Sequence, residues 1–256
     1  VHDLIYYRHP APPPSFAWPI KLLWRFYHLS FLPQRLLLNR SDAVATVSKT
    51  TQSLIKKHNL TKRLVSVVYN AASDDSLPSA PTARPSGRQT LVYMGSFMDY
   101  KNVEVLVKGM AHLPNHKLLL LSRISDSRRA ELQELVPAGA KVDFLNGVTD
   151  EQYHDLLSNS VALVSGSRDE GFGIPLVESM SRGVPVVVSN IPIFEEIGGD
   201  AAIYFDQEDP VAFATAVHSI DSESAWLTKS KLSQVQAKKF SWTNSAKALL
   251  ELLQQI

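Results

Sequence analysis

From position 89 onward the chain repeats one unit, a short unbroken apolar run followed by a segment of helix length. QTLVYMG, HKLLLLS, KVDFLNG, SVALVSG and PVVVSN are the runs, and helical stretches lie around 102–112, 126–136, 150–159 and 175–182. A strand exposed on one face alternates apolar and polar residues. An unbroken run belongs to a strand covered on both faces, as in a parallel sheet with helices above and below. Parallel neighbours need crossover connections, which are right-handed almost without exception. The pattern predicts an α/β fold with a doubly wound parallel sheet over 89–235, its ligand crevice at the carboxyl ends of the strands.

The 256 residues are 45% hydrophobic and 20% charged, as expected of a globular chain with one large or two modest domains. A formal net charge of +1 gives nucleic-acid binding no electrostatic support. There is no cysteine, which excludes disulfides, thiol catalysis and thiolate metal sites and fits a reducing, cytoplasmic compartment. No stretch approaches the roughly 20 apolar residues of a membrane-spanning helix. The opening VHDLIYY lacks the basic-then-apolar order of a secretory signal. It reads as the end of a buried strand entered midway, so the chain is expected to begin inside a longer domain.

Residues 11–15, APPPS, form a rigid extended spacer. Segment 18–40 is apolar, aromatic and basic, with helical spacing broken at Pro33. Leu22, Leu23, Phe26, Leu29 and Leu32 favour one face, with Lys21, Arg25 and Arg35 interleaved. Two readings are open. One is a surface helix resting on an anionic membrane and admitting a lipid-linked acceptor. The other, which we favour, is a helix covering the amino-terminal sheet, with Trp18 and Trp24 packed in its core. DAVATVS (42–48), KTTQSLIKKHNL and RLVSVVYN (63–70) then read as strand, helix and strand. Residues 71–88, small, polar and proline-rich, read as an interdomain linker.

The stretch RDEGFGIPLVES joins the strand ending near Gly166 to the next helix, so it lies at the carboxyl edge of the sheet. Pro175 suits the first helical position, and Gly183 suits its end. Gly171 and Gly173 let the backbone approach a ligand. The N–H groups of Gly173, Leu176 and Val177, with the helix dipole, suit a phosphate-sized anion. Glu178, about one turn into the helix, could accept two hydrogen bonds from a ribose diol. Glu170, on the other side of the anion site, could accept from a second polyol. Diol, phosphate and polyol in that order describe a nucleotide sugar. The bland alternative is a loop glutamate and a helix glutamate, both solvated.

SRDEGFGIPLVESMSRGVPVVVSNIPIFEEIGGDAAIYFD closely resembles the donor-site signature of family 4 retaining glycosyltransferases, which have the GT-B fold. YMGSFMDYKNVEVLVKGM resembles their phosphate loop, and FLNGVTDEQYHDLLSNS the segment below the nucleobase. HDL and SDAVATVSKTT resemble the late part of their amino-terminal domain. The resemblance implies that Glu170 contacts the donor sugar and Glu178 the ribose. It implies that the backbone of Gly171, Phe172 and Gly173 lines the sugar, and that Leu176 and Val177 offer N–H groups to the phosphates. Gly95 opens the phosphate loop and Lys101 matches its lysine. Ser96 stands where an arginine is usual, and Arg123, directly after a strand, is a substitute by position. Gly147 and Val148 would approach the base. His2 matches the histidine that reaches the reacting sugar.

The catalytic set so implied is His2, Glu170 and Lys101. No cofactor or essential metal is implied, and Asp74, Asp75 and Asp99 have no partner at metal-ligand spacing. The expected map is a partial, acceptor-side Rossmann-like domain at 1–70, the linker, a donor domain at 89–235, and a helix from 236 to 256 crossing back to the amino-terminal domain. A full amino-terminal sheet needs more residues than 1–70 supply, so a fragment or a short form is expected, binding donor without turnover. The expected function is sugar transfer from a nucleotide sugar to a glycan or lipid-linked acceptor, at the inner face of the membrane if segment 18–40 makes peripheral membrane contact. IPIFEEIGGDAA leans towards GDP-mannose. A nucleotide-sugar-binding module without transfer stays open, and a GT-B epimerase is disfavoured by EGFGIPLVES.

Overall fold

The computed structural model describes residues 1–12, 16–72, 81, 83–85 and 89–256. They fall into two units. The first contains Val1–Ala71, Asp169–Phe172 and Phe240–Ile256. It starts with the single turn α1 (Ile5–Arg8), then α2 (Trp18–His28) and α3 (Leu32–Leu38). β1 (Ala43–Thr46), α4 (Lys49–Lys57) and β2 (Leu64–Val67) make the expected β-α-β unit, with Val44 opposite Val65 in a parallel pair. Ser48 caps α4, its Oγ accepting the Thr51 N–H at 3.0 Å. Leu4, Ile55 and Leu60 are its small buried core.

Three expectations for this unit are corrected. VHDLIYY does not continue as a strand, because Asp3 Oδ1 accepts the Ile5 N–H at 3.0 Å and turns the backbone into α1. The helical segment does not break at Pro33. It stops at His28, and Pro33 sits in the first turn of α3, where a missing N–H costs nothing. The helix expected to cover the sheet does not do so. No residue of α2 or α3 is buried, and Trp18 is 76% exposed. Only Phe31 and Leu38 of this region reach the small core. Trp24 packs edge-on against Tyr6, ring centroids 4.8 Å apart, rather than into the sheet. Pro13, Pro14 and Ser15 of the spacer, and most of the expected linker, lie outside the described residues.

The second unit contains Ala72–Arg168 and Gly173–Lys239. Its strands are β3 (Gln89–Tyr93), β4 (His116–Leu120), β5 (Lys141–Phe144), β6 (Ala162–Ser165), β7 (Val186–Ser189) and β8 (Ile203–Phe205). They alternate with α5 (Val103–Gly109), α6 (Asp126–Glu134), α7 (Asp150–Ser158), α8 (Ile174–Ser181) and α9 (Pro192–Gly198), and α10 (Pro210–His218) and α11 (Glu223–Ala237) follow. All neighbours pair parallel, in the order β5-β4-β3-β6-β7-β8. The chain builds outward from β3 in one direction and then returns to build from β6 in the other. The switch point, where such sheets bind ligands, is therefore between the carboxyl ends of β3 and β6.

Leu91, Leu118, Val164 and Val187 belong to the core of this unit, with Phe213 and Trp226 from α10 and α11. The Trp226 Nε1–H donates to the Val161 carbonyl at 2.7 Å, so the largest buried side chain carries no unmet donor. α11 runs to Ala237 and α12 (Trp242–Leu253) belongs to the first unit, so the expected start at 236 lies inside α11. Residues 169–172, expected within the donor domain, group with the first unit.

Candidate functional site

In the second unit four loops leave the carboxyl ends of β3, β4, β5 and β6. After β3, the Gly95 N–H donates to Ser122 Oγ at 3.1 Å and the Ser96 carbonyl accepts from the Tyr93 hydroxyl at 2.5 Å. Lys101 ends a 3-10 turn, its Nζ 5.4 Å from the Tyr100 ring centroid. That turn is fixed from behind by residues the sequence reading did not single out. The Arg168 N–H donates to the Tyr100 carbonyl at 2.7 Å and its Nη1 to the Asp99 carbonyl at 3.2 Å. The same guanidinium forks onto Glu208 at 2.6 and 2.8 Å. Asn102, left-handed and buried, donates its amide to the carbonyls of Gly166 at 3.2 Å and Gln207 at 2.6 Å.

Arg123 and Gly147 are brought together. A Cβ on Gly147 would stand 2.9 Å from Arg123 Cγ, and the left-handed φ of +105° disfavours any other residue there. Beside them Leu145, Gly147, Val148, Gln152, Asp155 and Leu156 line an open recess of about 350 Å³. Gln152 is held in place by a capping box with Thr149.

Gly173, with φ of +94°, is the N-cap of α8, and Pro175 occupies the second rather than the first helical position. The Leu176 N–H does not lie open for a phosphate as expected: it donates to the Gly173 carbonyl at 3.0 Å, tightening the first turn. Val177 is buried on the same helix. Glu178 is 7% exposed, and its Oε2 accepts from the Tyr153 hydroxyl at 3.0 Å. Burial, with the Glu178 charge, pushes the Tyr153 phenol up, so it stays a donor. Tyr153 escaped the sequence reading because an aromatic on the apolar side of a helix reads as core.

In the first unit, residues 169–172 are held one by one. Asp169, 5% exposed, takes Arg8 Nη1 on Oδ1 at 2.9 Å and lies 3.3 Å from His9 Nε2 through Oδ2. The Glu170 N–H donates to the same Oδ1 at 3.0 Å. A Cβ on Gly171 would be 2.9 Å from Asp3 Cβ and 3.1 Å from His2 Nδ1, so a larger residue there would force Asp3 to shift. Phe172, 1% exposed, packs its ring against Tyr69 and Phe240, at 6.2 and 5.7 Å between centroids. Its side chain is a core anchor whatever its backbone lines. His2 Nδ1 stands 3.3 Å from Asp3 Oδ2, which holds the imidazole pKa up, and the Glu170 charge acts in the same direction. Among the described residues, no group of three or more His, Asp or Glu is placed to hold a metal ion. Asp74 and Asp75 lie outside the described residues.

A doubly wound parallel sheet with helices on both faces is the architecture of a GT-B domain. The chain belongs to the glycosyl transferases group 1, whose family model matches residues 78–239. It is 28% identical over 210 residues to the O-antigen chain mannosyltransferase RfbU of Salmonella typhimurium, covering 80% of this chain and 58% of that protein. It is 28% identical over 224 residues to O-antigen chain mannosyltransferase B of Escherichia coli, covering 81% and 59%. The chain thus spans somewhat over half the length of these relatives.

Among solved structures, it is similar to sucrose-phosphate synthase of Thermosynechococcus elongatus, with a TM-score of 0.77 and 22% identity over 99% of this chain and 66% of that one. HepE of Anabaena, solved with UDP and glucose, gives a TM-score of 0.74 at 18% identity over 90% and 68%. At these identities the likeness shows the fold, an α/β fold of GT-B type. Among the described residues no helix is long and apolar enough to cross a membrane.

Proposed function

We propose that the chain carries the donor-binding machinery of a retaining hexosyltransferase that moves a sugar, mannose by preference, from a nucleotide sugar to a glycan or lipid-linked acceptor. The observation that carries this reading is Glu178, a nearly buried carboxylate one turn into the helix after the switch-point strand, fixed by Tyr153. Such a group suits a ribose diol and does not suit a phosphate. Membership of the family and the two mannosyltransferase relatives support the reaction class and the sugar.

On this reading the base enters the recess beside Gly147 and Val148, with Glu178 on the ribose. Lys101, Arg123 and the amino terminus of α8 meet the pyrophosphate, with Gly95, Ser96 and Val177 as backbone lining. Glu170 accepts hydrogen bonds from the donor sugar, lined by Gly171, Phe172 and Gly173, and His2 reaches the same sugar. The charge that develops on the leaving phosphate is met by preorganised cations and the helix terminus. With no nucleophile assigned, retention follows from front-face displacement assisted by the leaving phosphate, and no metal is invoked.

Calorimetric titration of the chain with GDP, UDP and ADP and their sugars tests the proposal. One nucleoside diphosphate series is expected to bind, and failure of all three removes the reading. With a radiolabelled donor and membrane extract as acceptor, the 256-residue chain alone is expected to bind without labelling the extract, and robust labelling by it would show that these residues transfer sugar unaided.

A second reading concerns the membrane. α2, α3 and the turn between them expose Trp18, Leu23, Phe26, Leu29, Leu32 and Leu36. Lys21, Arg25, Arg35 and Arg40 lie on the same stretch, with no acidic residue between Asp3 and Asp42. This composition favours an anionic bilayer surface at the cytoplasmic face, where a lipid-linked acceptor would be met.

A further inference from the structure

We propose that Asp169, gripped by Arg8 and His9, is a positioning residue that fixes Glu170 for the donor sugar. The proposal rests on the assignment of Glu170 to that sugar. A buried carboxylate is costly, and a well-packed apolar residue usually anchors a loop as well or better. Here the chain keeps the carboxylate and supplies it with an arginine at 2.9 Å, a histidine at 3.3 Å and a backbone N–H at 3.0 Å. Burial pushes its carboxyl up, while Arg8 and His9 oppose that and favour the charged form.

An apolar residue at 169 could fill the space but could not accept the Glu170 N–H. That bond sets the backbone from which the Glu170 carboxylate projects. On the other side of Glu170, Gly171 leaves room for only a hydrogen beside Asp3, and Phe172 packs against Tyr69 and Phe240. Asp169 is thus the polar half of a two-sided clamp on one residue. Arg8 acts through Asp169, neutralising it from a helix that is otherwise a single turn.

The test uses the 256-residue chain and four variants, Asp169→Ala, Asp169→Asn, Arg8→Ala and Arg8→Lys. Calorimetry compares GDP with GDP-mannose, or the nucleotide pair that the screen selects. Asp169→Ala is expected to lower the extra affinity contributed by the sugar about tenfold, the scale of one charge-assisted hydrogen bond, and to leave the nucleoside diphosphate affinity within about twofold. Asp169→Asn keeps an acceptor oxygen and should retain most of the increment. Arg8→Lys should restore part of what Arg8→Ala loses.

Hydrogen exchange of the peptide spanning residues 167–173 gives a ligand-free readout. The Glu170 amide should be protected in the wild type and in Asp169→Asn, and unprotected in Asp169→Ala. An equal loss for nucleotide and nucleotide sugar, an unchanged increment, or an unprotected wild-type amide overturns the proposal. If the wild type binds no nucleotide sugar, the functional reading falls, and the exchange experiment still decides whether Asp169 orders Glu170.

Discussion

Tyr153 does for Glu178 what water does for a carboxylate in solution: it supplies a hydrogen-bond donor where little water reaches. Tyr153→Phe should therefore cost about 1–3 kcal/mol of stability, read from the urea midpoint, because a buried carboxylate loses one of its hydrogen-bond donors. Glu178→Ala should weaken nucleoside diphosphate and nucleotide-sugar binding alike, by about 1.5–3 kcal/mol. Unchanged nucleoside diphosphate affinity in calorimetry would remove the ribose assignment. Glu170→Ala should spare the nucleoside diphosphate and lose only the increment from the sugar. Glu170 and Glu178 could be singled out in the sequence as candidates because glycines, a proline and two apolar strands fix their context. Tyr153, Asp169, Arg8 and His9 were not, since each acquires its role from a contact far away in the chain, Arg8 and Asp169 being 161 positions apart.

Elements were read from the sequence where burial is symmetrical. β6 and β7 are buried along their whole length and β3 and β4 over their last three residues, and that signature survives without any structure, whereas β5, KVDF, alternates and is exposed at Lys141. β8 was not separately read, because IYF is short and follows glycines that break the rhythm. The opening residues misled because an apolar run of strand length can also turn into a helix when an aspartate bonds the backbone ahead of it. Pro33 misled because the same residue that ends one helix can begin another. Asn102 joins three segments from a left-handed conformation. Asn102→Ala should destabilise by about 2–4 kcal/mol, two bonds plus backbone strain, and a urea midpoint equal to wild type would show that the bridge carries no weight. If α2 meets an anionic bilayer, Leu23→Glu with Phe26→Glu should abolish co-sedimentation with phosphatidylglycerol vesicles while leaving nucleotide affinity unchanged.

For the molecule as a whole, one cluster in the second unit is expected to contribute a pH-dependent part of the stability. His218 Nδ1 lies 2.6 Å from Asp221 Oδ2, and that bond raises the imidazole pKa. A raised folded value stabilises most fully below the unfolded pKa of about 6.5, and the contribution is lost as pH rises through the folded value. The destabilisation by His218→Gln should accordingly be larger near pH 5.5 than near about pH 8.5. Equal urea-midpoint losses at both would contradict this. His116, 3.4 Å from the same aspartate, runs the other way, its pKa lowered chiefly by burial, so its contribution is lost on acidification.

The distribution of indole side chains has a practical corollary. Of the four tryptophans, Trp18, Trp24 and Trp242 belong to the first unit and Trp226 alone to the second. Trp226 is sealed from solvent, whereas Trp18 and Trp242 are exposed. A variant with phenylalanine at the other three positions would emit at short wavelength only while the sheet unit is folded, and its red shift would time the melting of that unit alone.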